Sequence, residues 1–267
     1  MAARSYYDRE IETRATERFA MTTDYDLIAR QYRLAKRQEW RSRVETHSLM
    51  RLAGDVRGKR VLDIACGEGH FTRMLRAAGA ASVVGIDISR RMVELARAQE
   101  DEHPLGVEYR VEDARRPSAI GEFDLVVSAW LLVYAHDRAE LLEMCQGLAR
   151  PLRPGGRLAT LTTNPDLYHF DRRDYRKYGF EMRLADHAHE GAPIVWTIHL
   201  EDGDSFEIEN YYLPREAFVT ALTRAGFRQV EFHSLELSPK PDAPDDGDHW
   251  ADLLRYPPAI LIDAVKA

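Results

Sequence analysis

Cysteine is nearly missing from this chain. Cys66 and Cys145 are the two thiols in 267 residues, too few for a disulfide framework. They read as small buried side chains in a reducing compartment, with Cys66 lodged inside a glycine-containing loop. Positive charge is also in short supply: the formal net charge is -7, which excludes a general nucleic-acid binder with its basic excess. The stretch from Arg30 to Arg43 is locally basic, with six Arg or Lys residues, and reads as a solvated helix face. No apolar run approaches membrane-spanning length, and the N-terminus is too charged for a signal peptide. A cytoplasmic protein with neither a membrane nor a nucleic-acid partner is expected. The acids lie too far apart in sequence to define a metal site. What remains, 45% hydrophobic and 30% charged residues, is ordinary for a globular enzyme with a full core.

Ser5 to about Ala20 has a capping-box-like start and an apolar stripe at four-residue spacing, which predicts a helix. Its stripe packs on its own domain or on a second copy of the chain. A second helix carries Tyr25, Ile28, Ala29, Tyr32 and Ala35 on one side, and a third covers Trp40 to Ala53. From Lys59 onward apolar runs alternate with helical patterns. Strands are expected at 60–65, 82–86, 107–111, 123–128 and 157–162, with helices at 70–78, 89–99 and 137–150. Such alternation implies a parallel sheet covered on both faces, with ligands at the carboxyl ends of its strands. The rhythm then changes. Residues 164–186 are polar and aromatic, and the runs 194–200 and 206–212 flank Glu201-Asp202-Gly203-Asp204-Ser205, which suggests a hairpin. Pro214 fits the first turn of another helix, strands follow at 228–237 and 259–265, and 238–248 reads as an exposed loop.

The most informative run is Val61-Leu62-Asp63-Ile64-Ala65-Cys66-Gly67-Glu68-Gly69-His70-Phe71-Thr72. A strand breaks at two glycines one residue apart and leads into a helix, so a ligand can approach the backbone closely while free helical N–H groups point at it. Asp87 ends the second strand, where a carboxylate can accept both hydroxyls of a ribose. Asp113 follows the third strand, beside the place for an adenine edge. A dinucleotide fingerprint would need a third glycine where this chain has Thr72, which argues against a nicotinamide dehydrogenase. Asp63 has a second reading as a loop-bracing residue, and Asp113 as a turn former.

The glycine loop, the spaced acids Asp63, Asp87 and Asp113, and Pro154-Gly155-Gly156 ahead of a strand together resemble the class I S-adenosylmethionine-dependent methyltransferases. The resemblance spans about residues 25–162 directly. It implies an α/β Rossmann-like methyltransferase sandwich: a mostly parallel seven-stranded sheet with helices on both faces, N-terminal helices and an inserted β-hairpin cap. The implied organisation is an N-terminal helical segment (1–56), a cofactor-binding core (57–163), an acceptor-side insertion (164–213) and a C-terminal completion of the same domain (214–267). The implied cofactor is S-adenosyl-L-methionine, held by Tyr25, Asp63, Ala65, Gly67, Gly69, Asp87, Ile88, Asp113, Ala114 and Ser128. The later segments Tyr175–Glu181, Phe206–Tyr211 and Trp250…Pro257-Pro258 are similar to bacterial natural-product methyltransferases of the toxoflavin-synthase and teleocidin types. Those relatives imply a small-molecule acceptor: methylation at nitrogen of a heteroaromatic ring, or at carbon of a prenylated indole.

Methyl transfer from a sulfonium needs alignment above all, so no catalytic triad is required and none is found. A base helps only where the acceptor loses a proton, and Tyr32, His169 and Tyr211 are the candidates. Aromatic surface for the acceptor comes from Trp130, Tyr134, Trp196 and Tyr212, with Asn164 beside it. Each has a plainer reading as a core or strand residue. His136 equally suits a cap for the helix that starts near Asp137. A non-catalytic cofactor-binding module and an NAD-dependent dehydrogenase are the alternatives from other classes.

Overall fold

The apolar runs after Lys59 become neighbouring strands in a computed structural model, which describes residues 31–118, 121–171, 174–239 and 247–267. The Ser5–Ala20 helix, its inter-subunit reading and Tyr25 lie outside the described residues. A π-helical segment (Arg41–Thr46) runs into α1 (His47–Ala53), which ends at Gly54 with φ 70°. The core then alternates β1 (Arg60–Ile64), α2 (His70–Ala77), β2 (Ser82–Asp87), α3 (Arg90–Glu102), β3 (Glu108–Val111), β4 (Phe123–Ala129), α4 (Arg138–Ala149) and β5 (Leu152–Thr163). Ser89 caps α3 by accepting from the Met92 N–H at 3.1 Å. Asp137, rather than His136, caps α4, accepting from Ala139 and Glu140 N–H at 2.8 and 2.9 Å.

After the core come β6 (Phe180–Leu184), β7 (Pro193–His199), β8 (Ser205–Tyr211), α5 (Arg215–Arg224), β9 (Phe227–His233), α6 (Gly247–Arg255) and β10 (Ala259–Lys266). The seven-stranded sheet has the order β3-β2-β1-β4-β5-β10-β9. Strands β1 to β5 pair in parallel, and β10 runs antiparallel between β5 and β9. Chain order reverses between β1 and β4, so the crevice for a ligand opens at their carboxyl ends. Both strands are buried almost throughout, as a sheet covered on two faces requires.

Three elements depart from the reading of the sequence. The expected hairpin is a three-stranded antiparallel sheet, because β6 adds to β7 with Phe180 opposite Ile198. Strand β6 alternates apolar and polar residues over Phe180-Glu181-Met182-Arg183-Leu184, but the run is short, lies in a stretch that reads as polar and aromatic, and fully buries only Phe180. Helix α6 takes up the end of what read as an exposed loop, drawn in by Trp250 and Leu253. Pro154-Gly155-Gly156 does not precede its strand but bulges out of β5, between partners that are two residues apart on β4 and five apart on β5.

Aromatic packing fastens the small sheet to the core. Trp40 meets Phe180 at 4.8 Å between ring centroids, Phe180 meets Trp196 at 5.1 Å, and Trp196 meets Trp130 at 5.3 Å. Each such pair contributes about 0.5–1.5 kcal/mol beyond its burial. Gln38 completes the join, donating to the carbonyls of Gly179 and His199 at 2.9 and 2.8 Å.

Gly147 sits on the buried face of α4, where a Cβ would collide with the Ala114 carbonyl oxygen. This glycine lets the loop after β3 lie against the helix. Gly147→Ala is expected to destabilise the protein by about 1–3 kcal/mol, read from urea unfolding, because the loop must lift to make room.

Candidate functional site

At the end of β1 the chain turns through Ala65, which adopts φ 61°. Trp130 does the same after β4, at φ 64°. Left-handed backbone is uncommon for side chains other than glycine and collects at functional sites. Here the two residues flank the crevice at the reversal of strand order. Between them the loop is pinned from below: the Gly67 N–H donates to Asp87 Oδ2 at 2.8 Å, and Ser89 N–H donates to Asp87 Oδ1 at 2.9 Å. Gly69, at φ 88°, lies so close to the Tyr109 ring that no side chain would fit.

A cleft of about 920 Å³, counted with its mouth, opens over these strand ends. That suits a small-molecule or cofactor site. Ala65, Gly67, Asp87 and Ile88 form one stretch of its wall, and Asp113 and Ala114 continue it along the sheet. Ile88 is 49% exposed, an apolar side chain left open on the cleft wall. Tyr32, Trp130 and Tyr134 border the cleft and also border a second, narrow chamber of about 310 Å³, counted with its open mouth, between the core and the small sheet. Trp196 faces that chamber together with Arg41, Ile198, Ile208 and Asn210. Placed to satisfy its neighbours, the Asn210 amide accepts from the Trp196 indole N–H at 3.2 Å.

Other expected site residues stand behind these walls. Asp63 is sealed beneath the loop and accepts from the Thr72 hydroxyl at 2.6 Å. The residue in place of a third glycine thus braces the first acid. Burial, reinforced by the charge of Asp87, pushes the Asp63 carboxyl up to about 7 against the pull of the Thr72 hydrogen bond. Ser128 is fully buried and donates to the Ile64 carbonyl at 2.8 Å, tying β4 to β1. Asn164 donates to the Pro257 carbonyl and accepts from the Asp166 N–H, each at 3.0 Å, so its side chain holds a loop together. His169 is exposed on a short 3-10 turn, away from both cavities. The Tyr212 ring packs edge-on against Tyr168, and neither lines the cleft or the chamber. Tyr211 donates to Glu209 at 2.5 Å and stacks 3.8 Å from His136, whose ring does border the cleft.

The locally basic stretch is not the solvated face its composition suggested. Glu45 is fully buried and receives Lys36 at 3.0 Å, Arg41 at 2.7 Å and the Trp130 indole N–H at 3.0 Å. Burial alone would raise the Glu45 pKa, but the two cations outweigh it and hold the carboxyl at about 2. Burial opposes the Lys36 charge, and Glu45 nonetheless keeps its pKa above the ordinary value. His70, bonded to Thr46 at 3.0 Å, is driven down to about 4 by burial and by Lys36. The one hint in the sequence was the Arg41/Glu45 pair at helical spacing, which the surrounding positive charge obscured. Among the described residues no group of three or more His, Cys, Asp or Glu could hold a metal, and no helix is long and apolar enough to cross a membrane.

Residues 61–156 match the model of a methyltransferase domain. Over 186 residues, 69% of this chain and 76% of the relative, the sequence is 28% identical to N-demethylindolmycin N-methyltransferase of Streptomyces griseus. It is 34% identical over 127 residues to a ubiquinone biosynthesis O-methyltransferase of Bordetella avium, spanning 46% of this chain and about half (51%) of that relative. An S-adenosylmethionine-dependent methyltransferase structure from Mesorhizobium loti superposes with a TM-score of 0.55 at 25% identity, over 87% of this chain and 100% of that one. Fold, loop and matches together define a class I S-adenosylmethionine-dependent methyltransferase. Its methyl donor is S-adenosyl-L-methionine, and the cleft over β1 and β4 has the size, the carboxylate and the open backbone to receive it.

Two outcomes test this placement. Asp87→Ala is expected to weaken S-adenosylhomocysteine binding by about ten- to a hundredfold in calorimetric titration, through loss of an acceptor on the cleft wall and of the loop it pins. Asp63 gives a stability test. Its carboxyl is raised in the folded state, so the native protein keeps a proton that the unfolded chain has lost. Stability therefore falls as pH rises from about 4 towards 7. Asp63→Asn removes that slope, and its Tm gain over the wild type should be larger at pH 8 than at pH 5.

Proposed function

We propose that this enzyme methylates nitrogen on a flat, heteroaromatic small molecule of the secondary-metabolite kind. The observation that carries the reading is the second chamber: aromatic on three sides and sharing Tyr32, Trp130 and Tyr134 with the donor cleft. A planar acceptor seated there lies beside the place of the transferring methyl. The relative from Streptomyces griseus, an N-methyltransferase by name, supports nitrogen as the site of attachment.

Charge favours nitrogen over carbon as well. S-adenosyl-L-methionine supplies an electrophilic methyl on a positive sulfur. Transfer moves that positive charge onto the acceptor, next to a buried cluster in which Lys36 and Arg41 share the single carboxylate of Glu45. An alkene carbon would be left as a carbocation beside excess positive charge, and the aromatic wall would have to offset it. A ring nitrogen that sheds its proton leaves no new charge. Alignment by the walls then supplies most of the rate, and a group that takes the proton adds about 10²–10⁴-fold.

Of the candidates for that proton, Tyr32 borders both cavities, whereas the Tyr211 hydroxyl is engaged by Glu209 and His169 faces elsewhere. His136 joins Tyr32 on the cleft wall, oriented by Glu140 at 2.9 Å from its Nδ1. The function is tested by incubating the protein with methyl-labelled donor and a panel of indole, pyrimidine and quinoline acceptors. The expected product is one methyl heavier, with the label on nitrogen by NMR. In the same assay Tyr32→Phe, which keeps the ring but removes the hydroxyl, is expected to lower kcat by about a hundredfold, and Tyr32→Ala, which also removes the aligning wall, should lose more.

A further inference from the structure

The acceptor chamber has aromatic walls, yet one of its lining residues is a buried cation. Arg41 is 4% exposed. Its guanidinium lies 4.7 Å from the Trp40 ring and 5.8 Å from the Tyr32 ring, and it borders the chamber with Trp130 and Trp196. Of its guanidinium N–H groups, those on Nη1 reach Glu45 at 2.7 Å, Nε is sealed from solvent without a partner, and the side chain makes no other hydrogen bond to a described residue. Glu45 cannot neutralise it alone, because the same carboxylate also holds Lys36 and the Trp130 indole.

The two cations face different places. Lys36 borders a hollow formed with Cys66, Gly67, Glu68 and His70, on the glycine loop of the donor cleft. Arg41 borders the acceptor chamber. Two cations on one carboxylate leave one positive charge in excess. His70 adds nothing to it, since burial and Lys36 keep that ring neutral down to about pH 4. A buried guanidinium with donors to spare is stable and selective when a planar anion meets its fork.

We propose that Arg41 determines acceptor specificity by receiving a carboxylate, so that the natural acceptor is a flat aromatic acid with its ring against the wall that Trp130 and Trp196 form together. This rests on the chamber being the acceptor site, as argued above. The acid pairs with the excess charge of the buried cluster. It also fixes which ring edge points back towards Tyr32 and Tyr134 on the shared wall. A carboxylate could instead come from the amino-acid end of the cofactor, and the experiment separates the two sources.

The test uses the full chain saturated with S-adenosylhomocysteine, titrated by calorimetry with indole-3-carboxylate and with 3-methylindole. The wild type is expected to bind the acid at least tenfold more tightly. In Arg41→Gln that preference should vanish while S-adenosylhomocysteine affinity stays within twofold. Arg41→Lys, which keeps the charge for Glu45 but loses the fork, should retain only part of the preference and serves as the decisive variant if the glutamine protein does not fold. Equal affinity of the wild type for the two probes overturns the proposal, and so does a preference that survives in Arg41→Gln or is undiminished in Arg41→Lys. If either variant weakens S-adenosylhomocysteine tenfold but leaves methylthioadenosine, which lacks the carboxylate, unchanged, Arg41 serves the cofactor and the proposal fails. A wild type that prefers the acid yet methylates none of the acceptor panel would refute the chamber's assignment to methyl transfer while leaving Arg41 as an anion site.

Discussion

Glu45 carries no solvent-accessible surface, and its charge survives burial because Lys36, Arg41 and the Trp130 indole all converge on it. Each partner comes from a different functional part of the molecule. Lys36 borders the glycine loop, Arg41 borders the chamber proposed for the acceptor, and Trp130 is the turn residue that follows β4. One carboxylate therefore sets the spacing between the cleft over β1 and β4 and the chamber proposed for the acceptor. Such an assembly gains little net stability, since desolvating the charges nearly offsets their attraction, but it is intolerant of losing a member. Its value here is positional: it ties the helical segment before α1 to the switch point of the sheet.

The same point of the fold concentrates strain and freedom. Ala65 and Trp130 hold left-handed backbone at the ends of adjacent strands, while Gly67 and Gly69 turn the loop between β1 and α2. Around them the supports are rigid. Thr72 grips Asp63, Asp87 pins the Gly67 and Ser89 amides, and Ser128 binds the Ile64 carbonyl. Several residues that look like ligands in the sequence are in this sense the frame of the site. They hold backbone amides and aromatic walls in register, which is what a reaction governed by alignment asks of an enzyme.

The small sheet supplies the other half. It contributes Trp196, Ile198, Ile208 and Asn210 to the chamber and is held by the aromatic chain from Trp40 through Phe180 to Trp130. This part was only half legible beforehand. Strands β7 and β8 announced themselves by alternation about a glycine turn, whereas β6 alternates over only five residues, inside a stretch whose composition reads as polar and aromatic. Asn164, His169 and Tyr212 follow the fifth strand or the hairpin closely, which made them reasonable acceptor residues. The loop after β5 instead folds back on Pro257 and packs Tyr168 against Tyr212, so sequence proximity to the strand end did not become proximity to the chamber.

What the sequence determined by itself was the core and the donor loop. Strand and helix periods, the two glycines, and acids at successive strand ends are local signals, because backbone conformation and strand burial impose them residue by residue. Thr72 in place of a third glycine, together with Asp63, Asp87 and Asp113, turned the reading from a dinucleotide to S-adenosylmethionine. The tertiary structure alone decided the acceptor side. Lys36, Arg41 and Glu45 look like a solvated basic face until packing removes the water, and then the same residues become a buried charge network. Whether a charge is screened at a surface or felt at full strength in an interior depends on what the rest of the chain lays over it, and no local pattern carries that information.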